Sequence, residues 1–191
     1  MLAATMLRDR LRTFCDPDLG PTFGGFPASR VAARQAWAAA FAAYLNTVEE
    51  VVPSPPPGHP ALITSGAEAA FFGALALDRD AATTPGLAAA DLAGAWRAAV
   101  QAIGFGVVTD SGGNVWTASA LTNVAPLHAA LVPALTAALS SAVTVTPPRT
   151  AVAQLGLIAD ALHAATSGLI VTVAVVNASS APLPTVVMAV H

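Results

Sequence analysis

Four histidines, one cysteine, one serine and a glycine-rich loop are the groups in this chain that could do chemistry. His59, His128, His163 and His191 have the side chain best suited to bind a metal or move a proton near neutral pH. Their spacing places no two on one helical turn, and no H-E-x-x-H pattern occurs. His128 and His163 can meet only if their helices pack, and a single polar residue on an apolar face more often satisfies a core or an interface. Cys15 is the only cysteine, which excludes an internal disulfide and a cysteine-based zinc site. It lies in a Pro/Gly-rich segment with no base beside it to activate a thiolate. There is no G-x-S-x-G; Ser65, in ITSGAE, reads instead as a helix cap, paired with Glu68 in a capping box. The loop DSGGN, residues 110–114, has glycine enough to wrap a phosphate. It lacks the Lys and following Ser/Thr of a P-loop and the G-x-G-x-x-G of a dinucleotide site, so it reads as a turn. The acid pairs Asp16/Asp18, Glu49/Glu50 and Asp78/Asp80 fall at loops or helix ends, where solvation explains them. No catalytic residue, cofactor or metal ligand follows, and a non-enzymatic protein is expected.

The elements that would position such groups are mostly helical. An N-terminal helix over 1–14 would align Leu2, Met6, Leu7 and Leu11. CDPDLGPTFGGFP then breaks it into an extended arm carrying Phe14, Phe23 and Phe26. SRVAARQAWAAAFAAYLNTVEEVV predicts a helix capped by Ser29, with Trp37, Phe41, Tyr44, Leu45, Val48 and Val52 on one face. PSPPPGHP, 53–60, is a stiff connector. A helix follows from about Gly66 to Leu77, and Thr84 with Pro85 opens another, striped by Leu92, Trp96, Val100 and Ile103. VVTDSGGNVWT suggests two short strands around a turn. Val124, Leu127, Leu131, Leu135 and Leu139 predict a helix that Pro133 must start or kink. TAVAQLGLIADALHAAT predicts the last helix, with Gly168 as its C-terminal cap. Two β-branched runs, Leu169–Val176 and Thr185–Val190, could close as a hairpin or pair with another chain.

The expected fold is therefore mainly α: an Ala-rich bundle of about five helices with a small β component near 107–117 and 169–190. The expected division is an N-terminal helix and arm over 1–27, a helical body over 28–168 and a C-terminal hairpin or arm over 169–191. Deleting 1–26 or 177–191 is expected to harm assembly more than folding.

Charge is the strongest signal. Charged residues make up 10% of the chain, against roughly 25% in ordinary domains. Residues 98–191 hold only Asp110, Arg149 and Asp160, and 111–148 hold none. A free surface normally scatters charge for solubility, so a half this bare points to surface that something covers. A net charge of −3 gives no global attraction to nucleic acid, and none is expected as a partner. A bilayer is also a poor fit. The apolar stretches 124–145 and 161–178 are broken by Pro126, His128 and Pro133, and by His163, Thr166 and Asn177, without flanking basic clusters. Nor does MLAATMLRDRLRTF carry the apolar core of a signal peptide.

The Ala-rich helices AWAAAFAAYLNTV and AWRAAVQAIGF, the connector VVPSPPPGHP, and AQLGLIADALHAATSG leading into an apolar strand resemble a known class. These are the small virion proteins of tailed bacteriophages, prophages and related contractile phage-tail-like particles. The resemblance is spread over roughly residues 28–176 and rests on no single diagnostic motif. It implies a structural subunit, assembled in the bacterial cytoplasm, whose partners are its own copies and other particle proteins. The residues offered for such interfaces are Phe14, Phe23 and Phe26 on the arm, with Leu169, Val171, Val173, Val175 and Val187 on the terminal strands. The alternative is a helical module that encloses a small apolar ligand.

Overall fold

Ser29 and Thr84 cap their helices as their chemistry demands. The Ser29 hydroxyl accepts from the Ala32 N–H at 3.1 Å, and the Thr84 hydroxyl from the Leu87 N–H at 3.4 Å, with Pro85 following where no N–H is needed. The computed structural model describes residues 4–12, 29–47, 50–51, 62–75, 84–140, 149–177, 179, 181–183 and 185–190. At 50–51, 62, 108, 149–152 and 186–190 it describes backbone alone. The chain is mainly helical. Among the described residues the helices are α1 (Ala4–Arg12), α2 (Arg30–Leu45), α3 (Ala67–Ala74), α4 (Pro85–Gln101), α5 (Val124–Ser140) and α6 (Arg149–Ser167). The strands are β1 (Glu50–Val51), β2 (Leu62–Ile63), β3 (Gly104–Phe105), β4 (Val107–Thr109), β5 (Val115–Leu121), β6 (Ile170–Val176) and β7 (Val186–Val190).

The β component is one five-stranded antiparallel sheet in the order β1-β7-β6-β5-β4, plus the small pair β2-β3. The terminal strands thus pair within the chain, Val171 opposite Met188 and Val173 opposite Val186. Between β5 and β6 the chain makes a helical excursion, α5 then α6. Asn123 closes its base. The Asn123 amide donates to the Gly168 carbonyl, its oxygen accepts from the Ile170 N–H at 2.9 Å, and its backbone carbonyl accepts from Leu127 in the first turn of α5. A Cβ at Gly168 would come within 2.9 Å of a Leu127 methyl, which would have to shift, and 3.3 Å from the Ala164 carbonyl.

The core is built from many alanines and a few large anchors. Trp96, Tyr44, Phe41 and Phe71 are fully buried, among Ala38, Ala89, Ala93, Ala95, Ala99 and Ala159. Each alanine buries little area but lets helices approach closely; the aromatics supply most of the apolar surface. Trp116, Ala118, Val171, Val173 and Val175 complete the core from the inner face of the sheet.

Two expectations are corrected. The second helix ends at Leu45, not Val52: Asn46 and Thr47 form the terminal turn, Thr47 turns its hydroxyl onto the Tyr44 carbonyl at 2.7 Å, and Glu50–Val51 joins the sheet. Asn, Thr and Val are weak helix formers, and Val suits a strand. Ser65 does not cap α3. The cap position is Gly66, which has no side chain to make a cap bond, and the Glu68 carboxylate accepts instead from the Gln35 amide of α2 at 2.6 Å. Both end segments also contribute to the fold, since Leu7 and Leu11 of α1 are fully buried and β7 lies inside the sheet. Val48, Val52, the arm over 13–28 and the connector 53–60 lie outside the described residues.

Two stability outcomes follow. Leu11→Ala should cost about 2–5 kcal/mol, the range for a leucine deleted from a packed core, seen as a lower urea midpoint. Asn123→Ala leaves the Ile170 N–H and the Gly168 carbonyl without their partner and should cost about 1–3 kcal/mol. Wild-type stability in either variant would remove α1, or the Asn123 closure, from this account.

Candidate functional site

Two of the groups singled out for chemistry, the glycine-rich loop and His163, have a structural occupation. The glycine-rich loop is a turn built around a carboxylate. Asp110 Oδ1 accepts from the backbone N–H groups of Gly112 and Asn114 at 2.8 and 2.9 Å; Oδ2 accepts from the Asn114 amide at 2.8 Å and the Trp116 indole at 3.0 Å. Gly113 has φ 78°, the left-handed conformation glycine adopts without strain. The N–H groups a phosphate would need are already turned onto a resident anion. The Asn114 amide and the Trp116 indole, aided by the backbone donors and opposed by burial, hold the Asp110 carboxyl at about 2.

His163 pairs with Tyr44, whose hydroxyl lies 2.7 Å from its Nδ1. His128 is half-buried on α5 and Ser65 is exposed before α3. Although α5 and α6 pack together, no group of three His, Cys, Asp or Glu that could hold a metal occurs among the described residues. Cys15, His59 and His191 lie outside them. Two polar pairs across the helices, Tyr44 with His163 and Trp96 with Thr166, were not announced by the sequence. The Trp96 indole donates to the Thr166 hydroxyl at 3.0 Å, and that hydroxyl donates to the Leu162 carbonyl at 2.7 Å. Burial pushes the Tyr44 phenol up, against a hydrogen bond with Thr166, so it stays protonated as a donor.

The interface candidates divide. Leu169, Val171 and Val173 have no exposure and Val175 has 3%, so this chain's own core covers them and they are not free for a partner. The reason is the strand period: odd positions of β6 face the helices. The Val187 side chain, Phe14, Phe23 and Phe26 are outside the description.

What stands open is the outward side of α5. This helix has no charged residue, and Ala125, Pro126, Ala129, Ala130, Pro133, Ala134 and Ala137 are all exposed, opposite buried Val124, Leu131 and Leu135. A surface helix ordinarily sets charged or polar groups on its outer face; one that is apolar all round is ordinarily buried. Between α5 and α6 lies an apolar hollow of about 170 Å³, lined by Leu127, Leu131 and five alanines. That is short of the roughly 300 Å³ at which small-molecule pockets begin. The outward sheet face is similar in charge: Val107 is 63% exposed, and Val115, Thr117, Thr172, Ala174 and Val176 share its side. Of the three charges in the second half, Asp110 is enclosed in its turn, and Asp160 bonds Arg8 of α1 at 2.6 Å. Both partners of that bridge are over 40% exposed, so it contributes little, about 0–1 kcal/mol.

No model of a known protein family matches the chain, and comparison with curated proteins and with solved structures gave no match. No helix among the described residues is long and apolar enough to cross a membrane.

The turn yields a pH prediction. The Asp110 carboxyl is depressed by folding, so its contribution is complete above the unfolded carboxylate value near 3.9 and is lost as pH falls towards about 2. Asp110→Asn should lower Tm at neutral pH and flatten its fall between pH 4 and 2. An unchanged acid profile would show that the turn does not contribute.

Proposed function

We propose that this chain is a non-enzymatic structural subunit of a large multi-subunit assembly, of the kind found in phage virions and phage-tail-like particles. The observation that carries this reading is the open, charge-free face of α5. Charge is available elsewhere in the chain, and residues 1–97 hold sixteen of its nineteen charged side chains. Its withdrawal from one face suits a surface that neighbouring subunits cover, because obligate interfaces are more hydrophobic than free surface. For the apolar-ligand alternative the hollow between α5 and α6 is small, and the larger one between α1 and α6, about 460 Å³, is lined by Arg8, Asp9, Arg12 and Asp160 and is not an apolar pocket. The partners on this reading are further copies of the chain and other particle proteins, and the mechanism is mechanical: many shallow apolar contacts between rigid helical bodies.

Light scattering coupled to size exclusion tests the reading. The native species should have the mass of a ring, tube or larger particle. Ala134→Arg places a cation on the exposed α5 face and should reduce that mass while shifting stability by no more than about 0.5 kcal/mol, as a surface substitution. A native monomer would overturn the reading.

A further inference from the structure

The outer side of α6 carries a protruding leucine beside an apolar hollow. Leu157 is 48% exposed. Spacings of four and seven set Ala161 and Ala164 on the same side of the helix as Leu157. Those two alanines belong to the α6 wall of the hollow of about 170 Å³, and Leu127, Ala130, Leu131 and Ala134 form its α5 wall. Ala130, Ala134 and Ala164 are exposed, so the hollow opens outward. Its lining has no polar side chain to hold a water in place. An apolar cavity of about 150 Å³ admits a benzene ring, so the four carbons of a leucine side chain fit this one.

We propose that α6 is a self-pairing surface. Two copies of the chain meet with their α6 helices antiparallel across a two-fold axis, and Leu157 of each seats in the α5–α6 hollow of the other. The proposal rests on the assembly reading above and names one contact between copies. With the axis between Asp160 and Ala161, Leu157 of one copy lies opposite Ala164 of the other, and the reverse holds at once because a two-fold contact is reciprocal. The other exposed large apolar side chains are Val31, Ile63, Leu87, Val107 and Leu183. None of them lies on a helix that walls the hollow. A contact through one of these would fill one hollow and leave the next open, whereas the two-fold through Leu157 fills both.

Size and charge both permit this pairing. Helices of 17 and 19 residues rise about 1.5 Å per residue and are about 10 Å wide, so the face they share spans roughly 500 Å². Two copies would cover roughly 1,000 Å², the area at which specific interfaces begin. Ala153, Gly156, Ala161 and Ala164 are small enough to let the two α6 helices approach to about 8 Å. The α5 helix brings no charge to the face. Asp160, beside the axis, brings its own counter-ion, Arg8 at 2.6 Å. Arg149, at the N-terminal end of α6, lies about 17 Å along the helix from the axis. Two copies therefore meet without unpaired like charges at the axis.

A disulfide tests the pairing. Cys15 is the only native cysteine, so Leu157→Cys and Ala164→Cys are combined with Cys15→Ser in the full chain. Within one chain the two sites are about 10.5 Å apart along the helix. That is beyond the Cα separation of about 7 Å that a disulfide can span, so a 157–164 link can form only between copies. Cleavage at Asp160 separates the two cysteines and lets mass spectrometry read the link directly. After mild oxidation a covalent dimer should form, with 157–164 as its main link. In the otherwise native chain, Leu157→Ala should raise the dissociation constant of the pair about tenfold, read from the concentration dependence of the mass. Links confined to 157–157 or 164–164 would set a different register and overturn the pairing, as would an unchanged dissociation constant in Leu157→Ala. An assembled particle without the 157–164 link would overturn it while leaving the assembly reading in place. A native monomer, with the hollow empty or filled by a small apolar molecule, would overturn both.

Discussion

The bond from the Trp96 indole to the Thr166 hydroxyl is the constraint around which the helical layer is built. Trp96 is the largest fully buried side chain, and its N–H cannot be left unpaired in an apolar interior without a substantial penalty. Its partner sits at the C-terminal end of α6, although α4 packs mainly on α5 and α3, so the long indole itself bridges to α6. Ala89, Ala93 and Ala99 of α4, and Ala159 and Ala165 of α6, are all buried, and such small residues let each helix sit close to its neighbours. Tyr44 of α2 likewise reaches the neighbouring turn of α6, where its ring meets His163 edge-on with centroids 6.1 Å apart. An interior made largely of small residues thus takes its specificity from a few polar bonds rather than from interlocking bulk.

Local signals in the sequence proved the most legible. Ser29, Thr84 and Pro85 stand where helices begin, because a cap is decided by neighbours one turn away. The spacing of Leu92, Trp96, Val100 and Ile103 identified the buried stripe of α4, and the glycine-rich turn between short strands was readable for the same reason. What escaped needed long-range information. Glu50–Val51 pairs with residues near the other end of the chain, and no local pattern announces that a helix will stop so that two residues can complete a sheet. Tyr44 looked like another apolar position on a helical face; its partner is 119 residues away. The terminal valines were read as free for a neighbour because they are uncharged. They are uncharged because the inner face of a sheet lies over helices. The Asp110–Trp116 bond spans only six residues, and an Asp two positions before a glycine is a known turn former, so that part of the loop was within reach of sequence reading.

The sheet and the helices present different kinds of uncharged surface, and the difference bears on how copies would meet. The outward sheet face carries Thr117 and Thr172 among its valines and alanines, so water can solvate it in part. Its edges are short: β4 has three residues and β1 has two, and short edges offer a poor template for pairing with another chain. The outward side of α5 has no such relief. Its exposed positions from Ala125 to Ala137 are alanine and proline only. Small side chains allow another backbone to come close. On the proposed function, contact through the α5 face would cover many small apolar groups without disturbing the sheet. That is why the helical excursion between β5 and β6, rather than the strands it connects, is the part of the fold best placed to meet a neighbour.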